Sequence, residues 1–222
     1  MKHIYALCVL VCLNCLQAAA QTTSSSDFHE LKVYGGYQYT HLDAHAVQDA
    51  LNLQHILDPS FPQLNFGRYQ SLHGWNFGIE EDAFAKWFGV VADVGSGFGT
   101  NSLNVGSGGG ITTTVRTRMQ FYTFTVGPQF TLKASSRIQP FARFLVGGAW
   151  TRNSVNTLEN NVPQFSEIHL KDEGLAYGGG GGADFFFSRR VGLRVAGDLL
   201  RTGFFGDSQN NLRGSAGVIF RF

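Results

Sequence analysis

Through most of the chain, apolar and polar side chains alternate one for one, the period of an extended strand whose two faces meet different surroundings. The first such run sets Leu31, Val33, Gly35, Tyr37 and Tyr39 against Lys32, Tyr34, Gly36, Gln38 and Thr40. A second places Trp75, Phe77 and Ile79 opposite Asn76, Gly78 and Glu80, and a third places Phe88, Val90, Ala92 and Val94 opposite Gly89, Val91 and Asp93. In the fourth, Tyr122, Phe124, Val126, Phe130 and Leu132 face away from Thr123, Thr125, Gln129 and Thr131. The fifth, 138–150, opposes Ala142, Phe144, Val146 and Trp150 to Gln139, Arg143 and Gly147. The sixth, 175–187, passes through the glycine run 178–182 and puts Asp184 opposite Tyr177, Ala183, Phe185 and Phe187. Val191, Leu193, Val195 and Leu199 against Arg194 and Asp198 make the seventh; Leu212, Ala216, Val218, Phe220 and Phe222 against Arg213, Ser215 and Arg221 make the eighth.

The links between these runs alternate in length. Those at 83–85, 134–137 and 188–190 are short, whereas 43–73, 98–118 and 152–173 are long. Segments of about ten residues cross a hydrocarbon layer when tilted, and a sheet in lipid must close on itself because no water is there to satisfy an edge. The pattern therefore predicts an all-β fold: an eight-stranded antiparallel up-and-down transmembrane β-barrel. Short turns on one side and long loops on the other place both termini in the periplasm. Residues 46–57 have helical spacing and predict a short surface helix in the first long link.

Charge sharpens this reading. Within the strands Lys32, Glu80, Asp93, Arg143, Asp184, Arg194, Asp198, Arg213 and Arg221 all share the face opposite the apolar row. Both signs on one face would pair across a narrow lumen through charge-assisted hydrogen bonds. A soluble barrel of the lipocalin kind reverses the arrangement, with an apolar interior around a ligand, and these charges argue against it. An interior of eight strands is just wide enough to be filled by side chains, so a plugged lumen is expected over the alternative of a narrow porin-like channel. Aromatics near strand ends (Tyr37, Tyr39, Trp75, Trp87, Phe130, Trp150, Phe187 and Phe220) suit girdles at the two membrane–water boundaries.

Composition agrees: 28 glycines, 14% aromatic and only 15% charged residues in a chain of 222. The net charge of +1 becomes zero without Lys2, which leaves no basis for nucleic acid as a partner. At the start, Lys2 and His3, the apolar run 4–16 and Ala18-Ala19-Ala20 have the form of a cleaved secretory leader. The expected division is a signal peptide at 1–20, a periplasmic linker at 21–29 and the barrel domain at 30–222. Cys8, Cys12 and Cys15 all fall in the leader, so the mature chain would contain no cysteine. Lipidation at Cys15 is disfavoured because Cys12-Leu13-Asn14 supplies no small residue ahead of it.

The final residues, Gly217-Val218-Ile219-Phe220-Arg221-Phe222, resemble the C-terminal signature of outer-membrane proteins, with Phe220 and Phe222 at the matching positions. That resemblance implies that the last strand is read by the barrel-assembly machinery, an edge offered to another edge. More widely, Val33-Tyr34-Gly35-Gly36-Tyr37-Gln38-Tyr39, Pro140-Phe141-Ala142 with Gly147-Gly148, 178–184 and Gln209-Asn210-Asn211-Leu212-Arg213 resemble the OmpA-like outer-membrane β-barrel domain family. The resemblance implies the fold, the outer-membrane address and contact with outer-membrane lipid and lipopolysaccharide. It implies no task, cofactor or catalytic residue.

Other chemistry is weak. His41, Asp43, His45, His55 and His73 in the first long link have no fixed ligand geometry, and no metal site is assigned. Ser166 and His169 could pair as nucleophile and base, as a lipid-modifying enzyme would need, but beyond the adjacent Glu167 no orienting carboxylate is set by spacing. The runs 106–110 and 178–182 lack the Lys-Ser/Thr of a phosphate loop. The expected function is a non-enzymatic structural or surface-interaction role carried by the loops.

Overall fold

The computed structural model describes residues 30–57, 67–85, 87–106, 112–133, 135–159, 162–163, 168–204 and 206–222. The expected leader and linker, 1–29, lie outside them. The elements in chain order are β1 (Leu31–Asp43), α1 (His45–Leu57), β2 (Tyr69–Ala85), β3 (Phe88–Gly106), β4 (Thr112–Thr131), β5 (Ile138–Glu159), the two-residue β6 (Val162–Pro163), β7 (Ile168–Phe186), β8 (Val191–Phe204) and β9 (Asp207–Arg221). Long strands alternate in direction and pair with their neighbours along the chain, while β6 merely extends the end of β5. First and last strands close the sheet: β1 pairs with β9 from Lys32↔Arg221 to His41↔Leu212, and β4 with β5 from Thr113↔Glu159 to Thr131↔Phe141. The result is a closed, all-antiparallel, eight-stranded barrel without a free edge.

Alternation in sequence becomes alternation in space. Along β8 every other residue is exposed and every other one buried through the whole strand. The exposed row is Val191, Leu193, Val195 and Leu199, which would be an unaccountable apolar surface in water and is the expected surface in lipid. Closure needs close backbone approach where β1 meets β9. Gly36 faces Gly217 there, and a Cβ on Gly36 would come 2.3 Å from the Ala216 carbonyl oxygen.

Strand boundaries differ from the sequence expectation. Much of the supposed long loops is ladder: β3 and β4 stay paired up to Gly106↔Thr112, and β5 and β7 up to Val155↔Ile168. Beyond the apolar band, the outward residues turn polar, as in Arg116, Arg118, Arg152 and Lys171, so the hydrophobic period fades while pairing continues. The first turn also lies later than expected. β2 runs to Ala85, with an irregular register between Glu81 and Ala85, and the connection falls at 86–87. One mouth of the barrel therefore carries tight turns, the start of β1 and the end of β9 (the turn end), and the other carries α1 and the remaining connections (the loop end).

Candidate functional site

The inward face is the place where this chain departs from ordinary core chemistry. Three of its ion pairs are set by register alone, since Lys32 lies opposite Glu80, Asp184 opposite Arg194 and Asp198 opposite Arg213. The other contacts cross the lumen. Near the turn end, Lys32 Nζ donates to Glu80 Oε1 at 2.8 Å and Arg194 Nη2 to Glu80 Oε2 at 2.5 Å, while Arg194 also grips Asp184 through Nε at 2.6 Å. Deeper in, Arg143 forks onto Asp198 at 2.8 and 2.7 Å, Arg213 reaches the same carboxylate at 2.8 Å, and Arg213 Nη1 donates to Asp93 at 2.5 Å.

Tyr34 joins the two groups. Its hydroxyl donates to Asp93 at 2.8 Å and accepts from Arg143 at 3.0 Å, and its ring lies 4.3 Å beneath the Arg194 guanidinium. The Phe141 ring stands 4.5 Å from that guanidinium, so a delocalised cation is packed among aromatic rings as well as carboxylates. Four buried cations (Lys32, Arg143, Arg194, Arg213) meet five buried carboxylates (Glu80, Asp82, Asp93, Asp184, Asp198). Lys133 at the turn end balances the set by pairing with Asp82 at 2.9 Å. Room for the Arg143–Asp198 pair comes from the glycine run: a Cβ on Gly180 would lie 2.4 Å from Asp198 Oδ1.

Above the charges the interior is largely uncharged, an apolar cluster interleaved with buried polar side chains such as Gln70, Thr117, Thr151, Asn153 and Asn211. Leu42, Leu72, Val115, Met119, Phe121, Ala149, Val155, Ala176 and Phe204 form one buried cluster towards the loop end, with Phe121 and Phe204 edge to face at 6.1 Å. Sequence reading treated the inner face as uniformly polar and missed this tier. The signal was present, because Phe121 and Phe204 have the inward parity of Thr123 and Thr202, but both sit where the strands were expected to have become loop or nearly so.

Arg221 is a correction. Although its parity matches the lumen set, it lies at the mouth, with its guanidinium 4.3 Å over the Phe186 ring and Nε donating to the Arg189 carbonyl. One residue from the chain end, the barrel no longer surrounds it. Phe220 and Phe222 both point outward and are exposed, and the Phe222 amide donates to the Leu31 carbonyl, extending the β1–β9 ladder to the terminus.

The histidines of the first long link are dispersed. His41 stacks on Tyr69 at 4.8 Å, and His73 sits against Tyr37 and Tyr39 on the outer face. His45 opens α1, with Nδ1 2.9 Å from Asp43 Oδ1 and Nε2 2.7 Å from Asp207 Oδ2, while Arg68 Nη2 donates to Asp43 at 3.0 Å. Hydrogen bonds that the ring donates to Asp43 and then to Asp207 raise the His45 pKa against the opposing effect of burial. Burial pushes Asp43 up, but the bonds from Arg68 and His45 outweigh it and hold the carboxyl below its ordinary value. Among the described residues, no group of three histidines, cysteines or carboxylates is arranged to hold a metal ion. Ser166 and Glu167 lie outside the described residues, and His169 Nδ1 is 3.2 Å from Ser154 Oγ instead.

A lipid-facing apolar exterior around an interior packed with ion pairs and an apolar tier defines a membrane β-barrel of the outer-membrane class. The chain belongs to the outer membrane protein beta-barrel domain family, which it matches over residues 6–220. Among solved structures it is similar to Ail, the attachment invasion locus protein of Yersinia pestis. The complex of Ail with the heparin analogue sucrose octasulfate is 13% identical, with 88% of this chain and 99% of that one covered and a TM-score of 0.53. A second crystal structure of Ail gives 14%, 88%, 99% and 0.51, and Neisserial surface protein A gives 8%, 89%, 98% and 0.43. At such identities the likeness is one of fold. No curated protein matches the chain by sequence.

Proposed function

We propose that this chain is a non-enzymatic outer-membrane barrel with a structural or surface-interaction role, its interior closed to solutes and its loop end turned out of the cell. The observation that carries this reading is the double filling of the interior. Arg143 and Arg213 converge on Asp198 inside the lumen, and the apolar cluster around Phe121 and Phe204 sits above them. Opening a path would separate buried charges, which costs several kcal/mol for each uncompensated ion. Tight turns and both ends of the barrel at one mouth support a periplasmic location for that mouth, by the asymmetry general to such barrels. Its partners are then outer-membrane lipid with lipopolysaccharide and, during insertion, the assembly machinery acting on the strand that carries Phe220 and Phe222.

Single-channel recording tests the closed interior. With folded protein in planar bilayers, no resolved openings are expected, and reproducible openings would overturn closure in favour of a narrow pore. Mass spectrometry of lipid A from cells with and without the protein tests the non-enzymatic part. Identical spectra are expected, and a new or lost acyl or phosphate group would contradict it.

A further inference from the structure

Outside the barrel, at the loop end of β4, β5 and β7, four cations form a diagonal row. Arg116 and Arg118 are two residues apart on β4, Arg118 lies opposite Ser154 on β5, Arg152 follows two residues from Ser154, and Arg152 lies directly opposite Lys171 on β7. All four are exposed and point outward. None of them makes an ion pair among the described residues. Like charges directly opposite in an antiparallel pair repel, and diagonal neighbours at about 7–8 Å do so as well. The outward neighbours on β3, Thr100 and Ser102, are uncharged, and Glu173 is the one outward carboxylate beside Lys171. A sheet face that sets four cations against a single described carboxylate is built for an anion that comes from elsewhere.

Its height in the membrane identifies that anion. One register step toward the barrel middle, Tyr122 stacks on Trp150 at 5.7 Å, the kind of aromatic pair that sits at headgroup level. Below them the outward row is Phe124, Phe144 and Val146, all exposed to hydrocarbon. The cations therefore stand just outside the apolar band, on the lipid-facing side rather than over the mouth.

We infer that Arg116, Arg118, Arg152 and Lys171 form a binding face for the phosphate groups of lipopolysaccharide in the outer leaflet. Guanidinium groups suit it, since each offers two parallel donors to a phosphate. His169, opposite Ser154, borders the same face. The inference rests on the proposed orientation, with the loop end outward.

The test uses the full mature chain folded in phosphatidylcholine nanodiscs and titrated with purified lipopolysaccharide, dephosphorylated lipopolysaccharide and phosphatidylglycerol. Each cation near a charged lipid surface contributes roughly fivefold in affinity. The pair R118Q/R152Q is therefore expected to bind intact lipopolysaccharide at least about tenfold more weakly, while R137Q at the turn end binds as the parent does. Dephosphorylation is expected to remove the difference between parent and R118Q/R152Q. Equal binding by the parent and R118Q/R152Q would overturn the proposal, as would phosphatidylglycerol displacing lipopolysaccharide at equal concentration, which would mark a general anionic-lipid surface. Both variants change exposed side chains, and the gel shift of the folded barrel on boiling verifies folding. Orientation is read separately, by thiol labelling of the N101C variant on intact cells. Labelling only after the outer membrane is opened would overturn the orientation and leave the binding result standing.

Discussion

At the scale of single residues, buried charge gives the sharpest expectations. Asp198 holds two guanidinium groups at once, so Asp198→Asn removes the carboxylate that Arg143 and Arg213 share and leaves Asp93 alone to balance both. A loss of about 3–5 kcal/mol is expected, the cost of breaking a buried pair from one side. Urea unfolding in lipid vesicles measures it, and a loss under 1 kcal/mol would contradict the burial described. His45 gives a pH dependence. Its pKa is raised in the folded protein, first by its bond to Asp43 and then by that to Asp207, so its contribution is complete below the ordinary value of about 6.5 and disappears as pH rises through the raised one. Asp207 is lowered, by the His45 bond and then by the Ser208 amide, so its contribution exists above about 3.9 and fades as pH falls through the lower value. The contact between α1 and the barrel rim is expected to be firmest between those limits. NMR titration of His45 should show a midpoint above 6.5, and Asp207→Asn should bring it down. Much of this was legible: parity alone put eight of the nine suspected charges on the buried inner face, failing only at Arg221, where the strand runs out of barrel. The role of Tyr34 was not legible, because parity gives a direction and not a partner across the lumen.

At the scale of the strand, register and glycine spacing decide what the interior can hold. On β7 the inward positions Gly178, Gly180 and Gly182 stand beside β8, and Gly180 lies under the Asp198 carboxylate. Gly180→Val is expected to displace that pair and cost at least the roughly 1–3 kcal/mol of an overpacked core. Gly214, on β9, has open space around a Cβ, so Gly214→Ala should be nearly neutral in the same unfolding assay. The final strand carries a different expectation. Phe220 and Phe222 contribute outward surface and no buried packing, so removing both side chains should slow insertion in cells while the purified variant refolds in vitro close to the parent. Equal insertion rates would sever the link between this strand and assembly. Strand identity was readable wherever lipid imposes an apolar row. It was lost where β3, β4, β5 and β7 continue past the membrane as polar ladder, since period-2 alternation needs two different environments to appear in a sequence.

At the scale of the whole molecule, closure is the property on which everything else depends. Strand number and antiparallel order followed from eight alternating runs, and the short and long connections gave the two mouths different character. The apolar tier that tops the charges needed the fold first, because its residues come from β1, β2, β4, β5, β7 and β8 and meet only once the sheet has closed. A closed ladder of this kind opens slowly and all at once, so its resistance to detergent is kinetic. The most direct test is electrophoresis in SDS of isolated outer membranes, with and without boiling. The folded chain is expected in the outer-membrane fraction as one band whose mobility changes only on boiling. A band that does not shift, with the protein recovered in the soluble periplasmic fraction, would contradict the closed membrane barrel.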